Sequence, residues 1–367
     1  MVWGDYLSFE YGKPVSDKNS TDGMVPVYGT NGQIGTSHLP PLCKIPSFIV
    51  GRKGAYRGVH YSDRPFSVID TAFYAMPLSD KVNLKWAYYK FLTYDINRMD
   101  SGSAIPSTDR YELYKIPIEL PDLEIQCRVV KVLDVIEKKI YVNKQINDNL
   151  LQQAQSVFMH IFKDNASNVP ATIADIALNI TDGVHNTVKD DSEGQYLLLS
   201  CKNIKGGSLS IGASERKINS ETFDKLRRRT KLAKGDILIS SVGTVGELLL
   251  LNTEPTNYEF QRSVAIVKPN PELVSSAYVY EALVAQKAEL INAAHGAVQQ
   301  CLFISDISGF PIGIPNSNDL HAFDEIVIPM FDTISANQAE NQRLEAIRDT
   351  LLPKLMSGEL DVSNLDI

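Results

Sequence analysis

The chain has 367 residues, 44% of them hydrophobic, and a formal charge of −8, which fits a globular protein with room for two or three domains. That charge excludes a chain that coats nucleic acid indiscriminately, because such binding rests on many Lys and Arg contacts to phosphates. Apolar runs such as Leu248 to Leu251 are too short to span a bilayer, and Met1-Val2-Trp3-Gly4-Asp5 lacks a basic stretch followed by an apolar one. A cytoplasmic protein without a membrane partner is expected. Cys43, Cys127, Cys201 and Cys301 form no Cys-x-x-Cys pair, so neither a metal knuckle nor a disulfide framework is expected.

In chain order, the first element with a clear signature is Ser47-Phe48-Ile49-Val50, an apolar run that reads as a buried strand entering a tight turn. The turn, Gly51-Arg52-Lys53-Gly54 with Gly58 beyond it, either brings the backbone close to a phosphate or is a plain β-turn. From about Glu124 to Phe162 the apolar residues follow a heptad, which predicts a helix about 55 Å long. Its seam holds Val129, Ile136, Asn143, Leu150 and Val157, with Leu133, Ile140, Asn147, Ala154 and Ile161 in a second row. Asp236-Ile237-Leu238-Ile239-Ser240 then reads as a second buried strand, followed by the turn Gly243-Thr244-Val245-Gly246. A second helical seam runs through Phe323, Met330, Asn337, Leu344 and Leu351, beside Val327, Ile334, Asn341 and Leu355. Pro329 should start a turn or bend the helix there, because it removes one backbone hydrogen bond. Asn143, Asn147, Asn337 and Asn341 stand mid-seam, either paired amide to amide between the helices, which would fix their register, or turned to solvent.

These elements occur twice. One fixed offset lays Gly102 on Gly296, Pro117 on Pro311, Asn143 on Asn337 and Asn147 on Asn341 without a gap, and smaller offsets lay Gly54 on Gly243 and Gly12 on Gly183. The expected division is a strand-rich domain over residues 1–120, a spacer helix over 121–165, a second strand-rich domain over 166–317 and a second spacer helix over 318–367. The fold class is therefore α+β, with a pseudo-two-fold repeat and the two long helices antiparallel.

Between Lys202 and Lys234, ten basic residues face only Glu215, Glu221 and Asp224. The run Arg227-Arg228-Arg229 is either a solvated helix face or part of a nucleic-acid surface, and an otherwise acidic chain favours the second reading. Side chains near the glycine turns are candidates for base-edge contacts: Arg52, Lys53, Tyr56 and Arg57 in the first copy, and Lys202, Asn203, Ser241 and Thr244 in the second. Arg and Asn make bidentate contacts to guanine and adenine edges. Lys205 belongs to the same basic segment. His185, in Thr181-Asp182-Gly183-Val184-His185, is either a base or phosphate contact or a structural turn residue.

Catalytic signatures are missing. The sequence has no Gly-x-x-x-x-Gly-Lys-Ser/Thr loop, no His-Glu-x-x-His, no Gly-x-Ser-x-Gly and no Asn-Pro-Pro-Tyr-like motif. Pro121-Asp122 with Glu137-Lys138-Lys139 formally matches a metal-dependent nuclease signature, but a helix flank does not bring those carboxylates onto one metal, and Phe331 stands where the second copy would need Glu.

Val27-Tyr28-Gly29-Thr30-Asn31-Gly32-Gln33-Ile34-Gly35, Ile49 to Gly54 and Asp70-Thr71-Ala72-Phe73 resemble the first target recognition domain of a type I restriction-modification specificity subunit. Thr181 to His185, Asn203-Ile204, Lys234 to Leu238 and Ser241 to Gly246 resemble the other common version of that domain, and Leu351 to Leu360 is similar to the family's usual ending. The resemblance implies a non-catalytic subunit that reads a bipartite duplex DNA target, with Tyr28 and Asn31 among the contacts and the antiparallel helices as the ruler between half-sites. It implies methyltransferase subunits clasped along those helices, restriction subunits outside them, and S-adenosylmethionine on the methyltransferase and no cofactor on this chain. The same architecture would serve a type II restriction complex, and a free-standing DNA-binding regulator is the remaining alternative.

Overall fold

The computed structural model describes residues 1–99, 106–162, 168–184, 188–212, 215–296 and 300–363. Gly102, His185 and the division near residue 165 lie outside the described residues. The chain forms two compact units, residues 1–141 with 341–367, and residues 142–340.

In the first unit, β1 (Leu7–Tyr11), β4 (Ser47–Gly51), β5 (Val59–Ser62) and β7 (Ala72–Pro77) form an antiparallel sheet in the order β1-β7-β4-β5. Every residue of β4 is buried, as expected of an apolar run in the middle of a sheet covered on both faces. A smaller sheet has the order β3-β2-β6, from β2 (Val25–Gly29), β3 (Gly32–Ser37) and β6 (Ser67–Val68). The short helix α1 (Leu84–Leu92) is capped by Asn83, whose side chain accepts from the amides of Lys85 and Trp86. It packs Trp86 and Phe91 against Trp3 and Phe48.

The second unit repeats this wiring. Strands β9 (Ala177–Asp182), β14 (Ile237–Ser240), β15 (Leu248–Leu250) and β17 (Val264–Pro269) run in the order β15-β14-β17-β9, and β10 (Tyr196–Leu199), β13 (Arg216–Ile218) and β16 (Tyr258–Phe260) in the order β13-β10-β16. The correspondence extends to single hydrogen bonds. The amide of Gly12 donates to the Ala72 carbonyl as that of Gly183 does to Val264, both at 3.1 Å. A Cβ at Gly12 would lie 2.0 Å from the Ile69 oxygen and one at Gly183 2.1 Å from the Phe260 oxygen, so the same close backbone approach demands glycine in both copies.

Two long helices complete the units: α3 (Leu123–Phe162) and α9 (Ser317–Ser357). They run antiparallel in each unit. In the first, Arg348 bridges Glu137 at 3.1 Å. In the second, Asn337 donates to Asn147 at 2.8 Å, Asn143 donates to Glu340 at 2.7 Å, and Phe158 and Phe162 pack on Phe323. One seam amide thus pairs with an amide and another with a carboxylate. The helix continues through Pro329, which lies well inside α9, so no turn starts there. The Thr333 hydroxyl donates to the Pro329 carbonyl.

The compact units divide within these helices and not at their ends, because each strand-rich body shares its core with helical residues. Val129, Leu133, Leu355 and Met356 belong to the core of the first. Ala154, Phe158, Phe323 and Val327 belong to that of the second.

Candidate nucleic-acid interface

Each unit gathers three segments around its β-turn. In the first, the turn between β4 and β5 is closed by the Gly51 amide on the Gly58 carbonyl at 2.8 Å. Arg52 receives the segment before helix α2 (Arg110–Lys115), because Thr108 donates to its carbonyl at 2.8 Å, while its own amide donates to Thr71 at 2.8 Å. Gly54 sits at φ +122°, a conformation that favours glycine. The second unit repeats the pattern around Ser241, whose amide donates to Ser263 at 2.9 Å and whose carbonyl accepts from Leu302 at 2.9 Å, and Gly243 sits at φ +82°.

Among the sequence candidates of the first unit, Arg52, Lys53, Tyr56 and Asn31 lie on or beside this turn. Tyr56 is 65% exposed. Arg52 lies over the Tyr11 ring at 4.8 Å and donates to the Asp70 carbonyl, and Lys53 meets the Asp70 carboxylate at 3.5 Å. Tyr28 is half-buried, edge-on to Phe66. Arg57 corrects the sequence reading. It is 2% exposed and its guanidinium donates to the Ile96 and Asn97 carbonyls, so it ties the turn to the body and does not face a duplex.

In the second unit, Ser241 and Thr244 stand on the turn, Thr244 exposed and Ser241 buried. Asn203 is 2% exposed and holds the Ser210 carbonyl and Glu215, which makes it a turn brace and not a base reader. Lys202 bridges Glu215 at 2.9 Å, whereas Lys205 is exposed. The arginine run splits by role along α5 (Ser220–Thr230). Arg227 pairs with Glu259, a fully buried carboxylate that burial pushes up in pKa and the guanidinium pulls back down. Arg229 bridges Asp182 at 2.6 Å, and Arg228 is exposed with no carboxylate partner among the described residues.

Sequence reasoning missed the residues that fill out both surfaces. Arg110 stacks on Tyr11 and Tyr111 at 4.7 and 5.2 Å, with those rings 42% and 57% exposed. Gln261, Arg262 and Phe303 line a cleft of about 670 Å³ beside Ser241. The repeat was the available signal, since these positions flank matched turn residues and differ between the copies.

On the helices, the seam residues Val129, Asn143, Asn147, Ile334 and Asn341 are buried, and Ile136, Leu150, Met330, Asn337 and Leu344 are partly so. Val135, Val142 and Ile146 of α3 are exposed apolar residues at helical spacing. No helix among the described residues is long and apolar enough to cross a membrane.

Comparison with known proteins agrees with this architecture. Residues 9–152 match the type I restriction modification DNA specificity domain. The chain is 26% identical over 317 residues to the type I restriction enzyme MjaIX specificity subunit of Methanocaldococcus jannaschii, covering 78% of this chain and 71% of that one. It is 24% identical to a putative type I specificity subunit, S.HindORF215P, of Haemophilus influenzae, covering 74% and 73%. The crystal structure of a type I restriction-modification S subunit from M. genitalium shares the fold, with a TM-score of 0.58 at 15% identity over 97% of this chain and 95% of that one. The doubled sheet topology and the paired long helices are thus similar to those of a type I restriction-modification specificity subunit, and residues 9–152 carry the match to that family's domain.

Proposed function

We propose that the chain is the DNA target-recognition subunit of a type I restriction-modification system, reading a bipartite duplex sequence with one half-site per unit. The observation that carries this is the loop cluster built twice on one sheet topology, with different side chains on the same backbone. Conserving the frame while changing the reading groups is what two distinct half-sites require. Local cationic groups, Arg52, Arg110, Lys205 and Arg228, supply phosphate and base contacts within an otherwise acidic chain.

The chain itself directs and does not catalyse. Methyltransferase subunits would carry S-adenosylmethionine and restriction subunits would join the assembly, with the exposed Val135, Val142 and Ile146 of α3 offering apolar surface to a partner. Long-read methylation sequencing of a strain lacking this chain tests the reading. One bipartite methylated motif should disappear on deletion and return on complementation, and an unchanged methylome would refute it.

A further inference from the structure

Matched backbone hydrogen bonds give each position of one unit its counterpart in the other. Tyr11 precedes Gly12 as Asp182 precedes Gly183, Arg52 corresponds to Ser241, and Arg110 stands two residues past Thr108 as Ile304 does past Leu302. The same corner of the repeat is therefore built from different chemistry in the two units.

In the first unit, Arg52 and Arg110 both stand within 5 Å of the Tyr11 ring, at 4.8 and 4.7 Å. Neither takes a carboxylate partner among the described residues. Arg52 donates to a backbone carbonyl and Arg110 to the Phe9 carbonyl at 3.4 Å and the Tyr111 hydroxyl at 3.3 Å, which leaves most of the ten N–H donors of the pair without a protein acceptor among the described residues. Two like charges gathered on one half-exposed ring are favourable only to the modest extent of each cation–π contact. They form a fork-rich donor surface that an acceptor edge would complete.

In the second unit the corner is open. It is a cleft of about 670 Å³ lined by Asp182, Ser241 and Gln261, with Phe303 52% exposed at its edge. The Gln261 backbone is committed to Leu199 and Val264, while its side-chain amide makes no hydrogen bond among the described residues. Where the first unit offers donors alone, the second sets beside the exposed Arg262 guanidinium an amide with one donor face and one acceptor face next to an apolar ring.

Resting on the DNA-reading function above, we propose that this corner is a base-reading position of each unit, reading guanine in the first through Arg52 and Arg110 and an adenine–thymine pair in the second through Gln261 and Phe303. Arginine matches the guanine O6 and N7 acceptors, a Gln amide matches adenine N6 and N7, and a Phe ring packs on the thymine methyl.

The test is selection of bound duplexes from a random library by the full chain, alone and with a methyltransferase subunit bound, at fixed salt. The variants are Arg110→Lys, which keeps the charge and loses the fork, and Gln261→Leu, which keeps the bulk and loses the amide. Arg110→Lys should lose about 5- to 150-fold of preference for guanine at one position of one half-site and leave the other half unchanged. Gln261→Leu should lose adenine preference by a similar factor in the other half alone. Should Arg110→Lys fail to fold by its thermal melt, Arg52→Lys carries the same expectation. A variant that keeps the parent motif and weakens all sequences equally would show phosphate contacts and overturn the assignment, as would one that alters both half-sites. If the parent enriches no motif in either form, the DNA-reading function falls together with this proposal.

Discussion

The side-chain amide of Asn337 donates to that of Asn147 across two antiparallel helices at 2.8 Å, and Asn147 is only 7% exposed. A half-buried amide without a partner costs about 1 to 3 kcal/mol, whereas replacing both partners by apolar groups is close to neutral. Asn147→Leu alone will therefore destabilise the chain by about that amount in urea unfolding. Asn147→Leu with Asn337→Leu will recover most of it. Additive losses in the double variant would show that the two amides act independently.

Arg227 and Arg228 are sequence neighbours with opposite expected phenotypes. Arg227→Ala strands Glu259, which is fully buried, and breaking such a pair costs about 3 to 5 kcal/mol. Its loss of DNA binding will follow its loss of fold. Arg228→Ala will leave the unfolding free energy within about 0.5 kcal/mol of the parent, weaken binding evenly across sequences and reduce the salt slope by about one. A sequence-selective loss at Arg228 would contradict a phosphate contact.

Glu281 in α6 (Ser276–Ala285) is 1% exposed, and neither carboxyl oxygen has a hydrogen-bond partner among the described residues. Burial pushes this carboxyl up to about 8. The folded chain therefore keeps a proton that the unfolded chain releases in the ordinary glutamate range. The contribution to stability is fully present below that range. It is lost as pH rises toward 8, with a slope of about 1.4 kcal/mol per pH unit while the two states differ by one proton. Glu281→Gln, neutral throughout, will be more stable than the parent at pH 8, and the gap will narrow toward pH 5. Parallel melting curves across that window would refute the buried, unpaired carboxyl.

The repeat was legible in sequence because its strongest matches are residues with backbone duties. Gly12 and Gly183 admit no Cβ, Gly54 and Gly243 hold positive φ, and the seam residues keep a heptad wherever two helices meet. Such constraints act locally and leave a trace at fixed spacing. The roles of the arginines were not legible. Arg227 is committed by Glu259, 32 residues away, and Arg57 by the carbonyls of Ile96 and Asn97, about 40 residues away. Nothing in the Arg227-Arg228-Arg229 run distinguishes the residue that braces the core from the one that faces solvent. Only the sheet, by bringing β16 against α5, separates them. The Tyr11 and Arg110 stack was hidden for the same reason, since its members are 99 residues apart in the chain.

The first compact unit is discontinuous: it closes on Asn341–Ile367, with Leu355, Met356 and Val362 buried in its core and Lys90 donating to the Met356 carbonyl. The second unit uses one unbroken stretch, residues 142–340. During synthesis, therefore, the half that leaves the ribosome first must wait with part of its apolar core uncovered until the second has been made. A nonsense codon just after Glu340 would strip the core of the first unit while leaving the second's sequence complete, so the position of a truncation on the gene is a poor guide to which unit it disables.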